Sequence, residues 1–412
     1  MRDVIVAGVG MTRFAKHLDR SLRSLAHEAA TEALDAAGAD PGAVQAAYFA
    51  NAVAGLTTGQ EMIRGQVALL DLGLSRVPVV NVEDACASAS AAFHLAWAAV
   101  AFGQYDLVLA IGAEKLTHPD KAVTFRAIGT AVDVGRRAEM AQARRAPDPG
   151  GPTGATLAET EGEPRDHSVF MDFYAASALR YMEESGATRE DFAAVAVKNR
   201  AHAALNPKAQ FRQPVTLEKV LSSRTVSGPL TLFMCSPTGD GAAAAVLCSR
   251  AVARRLGVRP AVKVAASILS SGLGASPGGG DAGHDAILAA YGRAGIEPSD
   301  LDLAEVHDAA APAELRLYES LGLCGQGEGP AFLATGATGL RGPVPVNTSG
   351  GLLAKGHPIG ATGLAQIAEV TWQLQDRAGE RQVAGSRVGL TQNAGGSIGT
   401  GPAALSVHVL TR

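Results

Sequence analysis

The 412 residues carry 36 Lys and Arg against 40 Asp and Glu, a formal net charge of −4. That balance gives no chain-wide basis for nucleic-acid binding, and a hydrophobic share of 47% supports a large core rather than disorder. Cys86, Cys235, Cys248 and Cys324 lie far apart with no C-x-x-C pair, which argues against a structural zinc site or a disulfide framework and for a reducing compartment.

The N-terminus runs straight into Val4, Ile5 and Val6 with no signal-like apolar stretch, and the longest apolar run, Ala91 to Phe102, is too short to span a bilayer. A soluble, cytoplasmic chain without a membrane span is expected. Short β-rich runs then alternate with Ala-rich helical runs, the pattern of α/β layers. After the first strand, Leu22, Leu25, Ala26, Ala29, Ala33 and Leu34 recur at helical spacing up to Gly38. Val77 to Val82 predicts a strand buried on both faces. A helix follows from about Cys86 to Phe102, then the strand Leu107 to Ile111.

From His118 to about Asp166 the pattern breaks into a long loop, basic over Arg136–Arg145 and acidic at Glu159, Glu161 and Glu163. Helix resumes from about Ser168, a strand covers Ala243 to Leu247, and a boundary between two halves, 1–258 and 259–412, falls near the Arg-rich SRAVARRLGVRP. The second half repeats the theme: strands at Val262–Ala265, Leu303–Val306, Val344–Val346, Val388–Leu390 and Leu405–Leu410, helices at Asp285–Ala294, Ala313–Leu321 and Pro358 to Leu374. The segment VNVEDACASAS before LVLAIGAE echoes VNTSGGLLAKGHPIGATG before VGLTQNAGG, as two copies of one α/β unit would.

Three spots suit chemistry. Cys86 falls between a buried strand and a helix, where the macrodipole favours thiolate and small neighbours admit a substrate; the alternative is a buried small hydrophobe. His357 lies in SGGLLAKGHPIGATG, whose glycines permit close backbone approach, with Pro358 suited to a helix start. An imidazole there can take a thiol proton near neutral pH, and a bland surface loop leaves those glycines unexplained. His307 follows a strand and precedes a helix that Asp308 can cap; it either stabilises an oxyanion or is a satisfied core histidine. Backbone N–H groups of Asn393–Gly401 can face an oxyanion. Gly8-Val9-Gly10 lacks the third glycine and the acidic residue of a dinucleotide fingerprint, and no phosphate-binding G-x-x-x-x-G-K-[ST] occurs.

Cys86 in DACASAS, the HDAAAPAE segment, NTSGGLLAKGHPIGATG and NAGGSIGTG come in the order of the thiolase superfamily, which the chain resembles along essentially its whole length. The opening VAGVGMTRF and CSPTGDGAAAAVL point to the branch of sterol-carrier, or lipid-transfer-protein, thiolases and archaeal-type acetyl-CoA acetyltransferases. The resemblance implies a five-layered αβαβα fold of two similar halves, a homodimer, and chemistry on coenzyme A thioesters with no permanently bound cofactor and no metal. It implies that Cys86 takes the acyl group, that His357 deprotonates it, and that His307 with His357 binds the second thioester oxygen. The N–H groups of Cys86 and Gly395 form the acyl-enzyme oxyanion hole, Ser236 touches pantetheine, and Arg136–Arg145 either meets phosphates or is a solvated charged loop.

Two departures bear on the reaction. Where ordinary thiolases carry a second cysteine stands Asn393, and where the sterol-carrier branch carries one stands Ala309; neither side chain shuttles a proton. The expected activity is therefore acyl-CoA C-acyl transfer, by Claisen condensation or thiolysis. The alternatives are another carbon–carbon reaction on this fold, acyl transfer to a non-CoA acceptor or retro-aldol cleavage, with a small OB-fold/zinc-ribbon partner, and lastly a non-catalytic acyl-CoA or lipid carrier.

Overall fold

The computed structural model describes residues 1–135, 168–273, 282–398 and 401–412. Its strands are β1 (Val4–Met11), β2 (Ala46–Ala50), β3 (Val79–Val82), β4 (Leu107–Glu114), the small hairpin β5 (Thr225–Ser227) and β6 (Leu230–Thr231), β7 (Gly241–Ser249), β8 (Val262–Ser270), β9 (Leu303–Glu305), β10 (Val388–Gly395) and β11 (Ala404–Thr411). Apart from the hairpin they form the order β3-β2-β4-β7-β1-β8-β11-β10-β9.

This order is one unit written twice. In the first half β2 is parallel to β3 and β4, β4 is antiparallel to β7, and β7 to β1. In the second, β9 is parallel to β10 and to the bridge at Val346, β10 is antiparallel to β11, and β11 to β8. Within the sheet the halves join where β1 meets β8, at Ile5 with Lys263 and Val6 with Val262. The sequence echo is thus a topological repeat. Residue 258 lies in the connection between helix Arg250–Arg255 and β8.

Two helices fill the centre, Ser88–Ala101 and Thr362–Leu374, both packed against strands of each half. Small residues let them close up: a side chain on Gly363 would meet the Ser90 backbone N–H and hydroxyl. Phe93, Trp97, Leu364, Ile367 and Val370 make the core of this middle layer. Outside, helix Leu22–Ala37 seals the first half with Leu25, Ala29, Ala33 and Leu34, and helices Ala282–Ala294 and Ala311–Ser320 seal the second. The result is the five-layered αβαβα sandwich.

Three expectations change. The strand at Val79–Val82 is not buried on both faces, because it is the sheet's outer edge; Val80 is 42% exposed and Asn81 is exposed. The long loop contains a helix, Lys121–Ile128, capped by Asp120, whose carboxylate accepts from Ala122 N–H; its part from residue 136 on, with Arg136–Arg145, lies outside the described residues. Asp308 does not cap the next helix, whose N-cap is Ala310 with no side-chain bond; its carboxylate points elsewhere. Among the described residues no helix is long and apolar enough to cross a membrane.

His94 and His408 meet Ser267 Oγ from opposite sides, each through Nδ1 at 2.9 Å, and join the helical layer to the second half. Burial pushes His408 down to about 3, with His94 adding to it, and lowers His94 as well. His202, buried against the Asn347 carbonyl, is likewise pushed to about 3. Above pH 6.5 these rings are neutral folded or unfolded. Between 6.5 and about 3 the unfolded chain takes up protons that the folded one refuses, so stability falls as pH falls. Thermal melts across pH 8 to 4 should show a Tm that is flat above 6.5 and declines below it, with a shallower decline in His408→Gln.

Candidate active site

β3 ends at Val82, and the chain turns through Glu83, Asp84 and Ala85 into a single 3-10 turn, Ala85–Ala87, before helix Ser88–Ala101. Ala85 takes a left-handed φ of 48°, a conformation that costs a non-glycine residue of order 1 kcal/mol or more and persists where the surroundings impose it. Here Glu83 accepts from Ala85 N–H at 2.7 Å, and the Ser88 hydroxyl accepts from Asp84 N–H at 2.9 Å while donating to Ala85 O at 2.6 Å. The strained turn projects Cys86 into a cavity of about 1150 Å³.

The second half brings His357 to the same place. Asp308 accepts from Leu352 N–H at 2.6 Å and from Asn199 Nδ2 at 2.8 Å, anchoring the π-turn Gly351–Lys355. A side chain on Gly351 would collide with that carboxylate. Gly356, at φ 110°, then reverses the chain so that His357 faces the cavity. After Pro358 a 3-10 turn, Ile359–Ala361, precedes the helix, which begins at Thr362 rather than at Pro358.

Thr362 fixes the imidazole. Its hydroxyl donates to Pro358 O at 2.9 Å and so can only accept from His357 Nδ1, 2.7 Å away. The proton therefore sits on Nδ1, and Nε2 is left as a lone-pair acceptor. His307 follows β9; its N–H donates to Gln392 Oε1 at 3.1 Å, and its own Nδ1 is buried without a partner. The two rings meet edge to face at 5.3 Å. One donor atom each from Cys86, His307 and His357 lies within 4.8 Å of the others, so residues from the two halves converge on one point. The same trio is a donor set that a divalent metal can also use.

The end of β10 and the residue after it close on the Cys86 turn, with Gly396 N–H favouring the charged form of the sulfur. Gly395 is pressed onto the Cys86 turn; a side chain there would run into Asp84 O and Ala87 N. Ser236 lines the cavity, held by its N–H on Ala309 O at 2.9 Å. Ala309 also lines it, whereas Asn393 turns away and donates to Gln366 Oε1 at 2.9 Å.

Burial dominates the protonation states. It pushes the Cys86 thiol up to about 12, against the Gly396 N–H, and Glu114 adds to the rise. The thiolate expected from the helix dipole is thus not the resting form, because desolvation outweighs it. Burial also pushes His307 down to about 4. It lowers His357 far below its usual value, with His307 and Lys355 adding to the effect. At neutral pH the site holds a thiol beside two uncharged imidazoles.

Sequence reading missed Thr362, five residues after His357, and the anchoring role of Asp308. The first could have been found from its hydroxyl at helical spacing in the same glycine-rich block; nothing local marked the second.

Two family models cover the chain: thiolase, N-terminal domain, over residues 4–251, and thiolase C-terminal domain-like over 280–410. An acetyl-CoA acetyltransferase of Methanothermobacter thermautotrophicus is 40% identical, with all of both chains covered. Benzoylsuccinyl-CoA thiolase subunit BbsB of Thauera aromatica is 38% identical over 96% of this chain and 95% of its own. Human sterol carrier protein 2 is 34% identical over 96% of this chain and 70% of its own. A solved structure titled Ltp2-ChsH2(DUF35) aldolase superposes with a TM-score of 0.77 at 27% identity, covering 99% of this chain and 97% of that one. The chain belongs to the thiolase family of acyltransferases.

If Thr362 sets the tautomer, Thr362→Val should slow iodoacetamide labelling of Cys86 at pH 7 by at least about tenfold in the folded protein, with a lower Tm from the unpartnered Nδ1–H, while Thr362→Ser restores both. The wild-type labelling rate should keep rising past pH 9, with no plateau near neutrality.

Proposed function

We propose that the chain is an acyl-CoA C-acyltransferase that works through a Cys86 acyl-enzyme. The observation that carries this is the convergence of Cys86, His307 and His357 on one cavity in a thiolase-family chain. Cys86 Sγ attacks the thioester carbonyl as its proton passes to His357 Nε2. The Thr362 hydroxyl, accepting from Nδ1, steadies the imidazolium. The tetrahedral oxyanion is met by the N–H groups of Cys86 and Gly395. When it collapses, the C–S bond to coenzyme A breaks and the leaving thiolate takes the proton back from His357. The products are acyl-Cys86 and free coenzyme A. A neutral starting pair suits this sequence, because charge forms only during attack, where dipoles already point at it.

In the second half-reaction His307 donates to the oxygen of an incoming thioester while His357 Nε2 takes its α-proton, since Ala309 is a methyl and Asn393 faces Gln366. The α-carbon bonds to the acyl carbonyl as the C–S bond to Cys86 breaks, and the proton on His357 passes to the released Cys86 sulfur. Ser236 lies along the pantetheine. The exposed outer strand β3 is the edge that a second copy of this chain covers in a homodimer.

A second reading is favoured by the aldolase likeness and by Ala309 and Asn393: retro-aldol cleavage or acyl transfer to a non-CoA carbon, assisted by an OB-fold/zinc-ribbon partner.

Intact-protein mass spectrometry with acetyl-CoA and longer acyl-CoAs should give an acyl adduct that Cys86→Ala abolishes. His307→Ala should keep the adduct while lowering the full condensation or thiolysis rate by about 100-fold or more. No adduct from any donor with the isolated chain, but turnover on adding the partner, favours the second reading.

A further inference from the structure

Arg200, on helix Arg189–Ala204, is a cation buried on the wall of the same cavity, and among the described residues no carboxylate neutralises it. It is 7% exposed and lines the cavity wall. Among the described residues no carboxylate, carbonyl or hydroxyl bonds its guanidinium, and its Nε–H is buried without a partner. Its guanidinium is held between two rings, with the carbon 4.4 Å from the Phe211 centroid and 5.0 Å from that of Phe233. Ring faces offset part of the desolvation of a cation but do not replace the hydrogen bonds its buried N–H would make. The contrast within the molecule is sharp: buried Arg381 carries a bidentate bond to Glu369, and buried Lys198 an ion pair to Glu314 at 2.7 Å.

An unpaired, ring-clamped guanidinium on a cavity wall is preorganised for an oxyanion brought by the ligand. Its planar fork matches a carboxylate or phosphate side-on. The neighbouring helix residue, Asn199, is bound to Asp308, so the backbone carrying Arg200 is fixed to the element that positions the histidines. We propose that Arg200 is an anion-recognition residue of the substrate cavity, taking an oxyanion of the acyl thioester: either a carboxylate at the far end of the acyl group or a phosphate of coenzyme A. This rests on the reading of the cavity as a thioester site and adds to it that the bound ligand carries a negative charge at Arg200.

The two sources separate in one binding experiment. Dissociation constants are measured in a Cys86→Ala background, so that no transfer consumes ligand, with Arg200 intact and with Arg200→Met. The ligands are acetyl- and succinyl-pantetheine, which lack phosphates, and acetyl- and succinyl-CoA. A loss of about 10- to 100-fold confined to the two succinyl ligands assigns Arg200 to an acyl carboxylate; the same loss confined to the two coenzyme A ligands assigns it to a phosphate. Equal loss across all four, or none, overturns the proposal and leaves Arg200 a structural residue. Arg200→Lys, which keeps the charge but not the fork, should lose less than Arg200→Met in the affected pair, and it carries the test if the methionine chain does not fold. Thermal stabilisation by malonate and by inorganic phosphate, compared between Arg200 and Arg200→Met, reads the same property without any thioester. If no thioester binds but an anion stabilises only the Arg200 chain, the thioester reading falls and the anion site stands; if no anion discriminates either, both fall.

Discussion

The site depends on a buried carboxylate that belongs to neither the nucleophile nor the imidazoles. Glu114, at the end of β4, accepts from Asn51 Nδ2 at 2.9 Å and Ala52 N–H at 3.0 Å, and across the molecule from Gly360 N–H at 3.0 Å. One side chain thereby fixes the cavity wall after β2 and the turn that carries His357. Strands β1 and β8 of the two halves pair at two positions, and Glu114 and the close approach of Gly363 to Ser90 add cross-half contacts near Cys86. Burial raises the Glu114 carboxyl, and four N–H groups pull it back. A carboxylate so enclosed is held by several donors at once, and removing any one leaves an expensive remainder. That makes the relative placement of the halves stiff where a shift of an ångström costs most.

Burial sets the chemistry as well as the geometry. A half-exposed cysteine at a helix start is commonly read as a ready thiolate, and the charge-dipole argument is sound as far as it goes. Here the surrounding apolar walls and the like charge of Glu114 outweigh it. The consequence is a thiol that rests protonated. On the proposed reading His357 is its base, and Thr362 leaves Nε2 free by taking up Nδ1 while its own hydroxyl proton goes to Pro358 O.

How much of this was legible in the sequence follows from how local each cause is. Strands β4 and β7 are nearly continuous apolar runs, and the helices are Ala-rich periods, so their types and approximate bounds could be read directly. Cys86, His307 and His357 stood out because each sits at a strand or turn end among small residues. What was not legible is what needs a partner far along the chain. Val79–Val82 looks like an interior strand until the sheet order shows it at the edge. Asp308 looks like a cap until Leu352, 44 residues away, is found to own it. Arg200 looks like one more helix-surface charge until Phe211 and Phe233 close over it.

The missing second thiol is the point where fold and reaction meet. Ala309 faces the cavity, and its methyl leaves room beside His307 rather than a proton carrier. Asn393 is drawn into the helical layer by Gln366, so restoring chemistry at that position requires more than exchanging one side chain. What remains at the reacting atoms is a pair of neutral imidazoles in edge contact, one with its tautomer fixed by Thr362 and the other with Nδ1 unpartnered. On the proposed reading a substrate oxygen or a moving proton meets the unpartnered nitrogen at the moment of reaction, and the α-proton transfer that no second cysteine can carry is shared between the two imidazoles: one carries the proton while the other holds the oxygen.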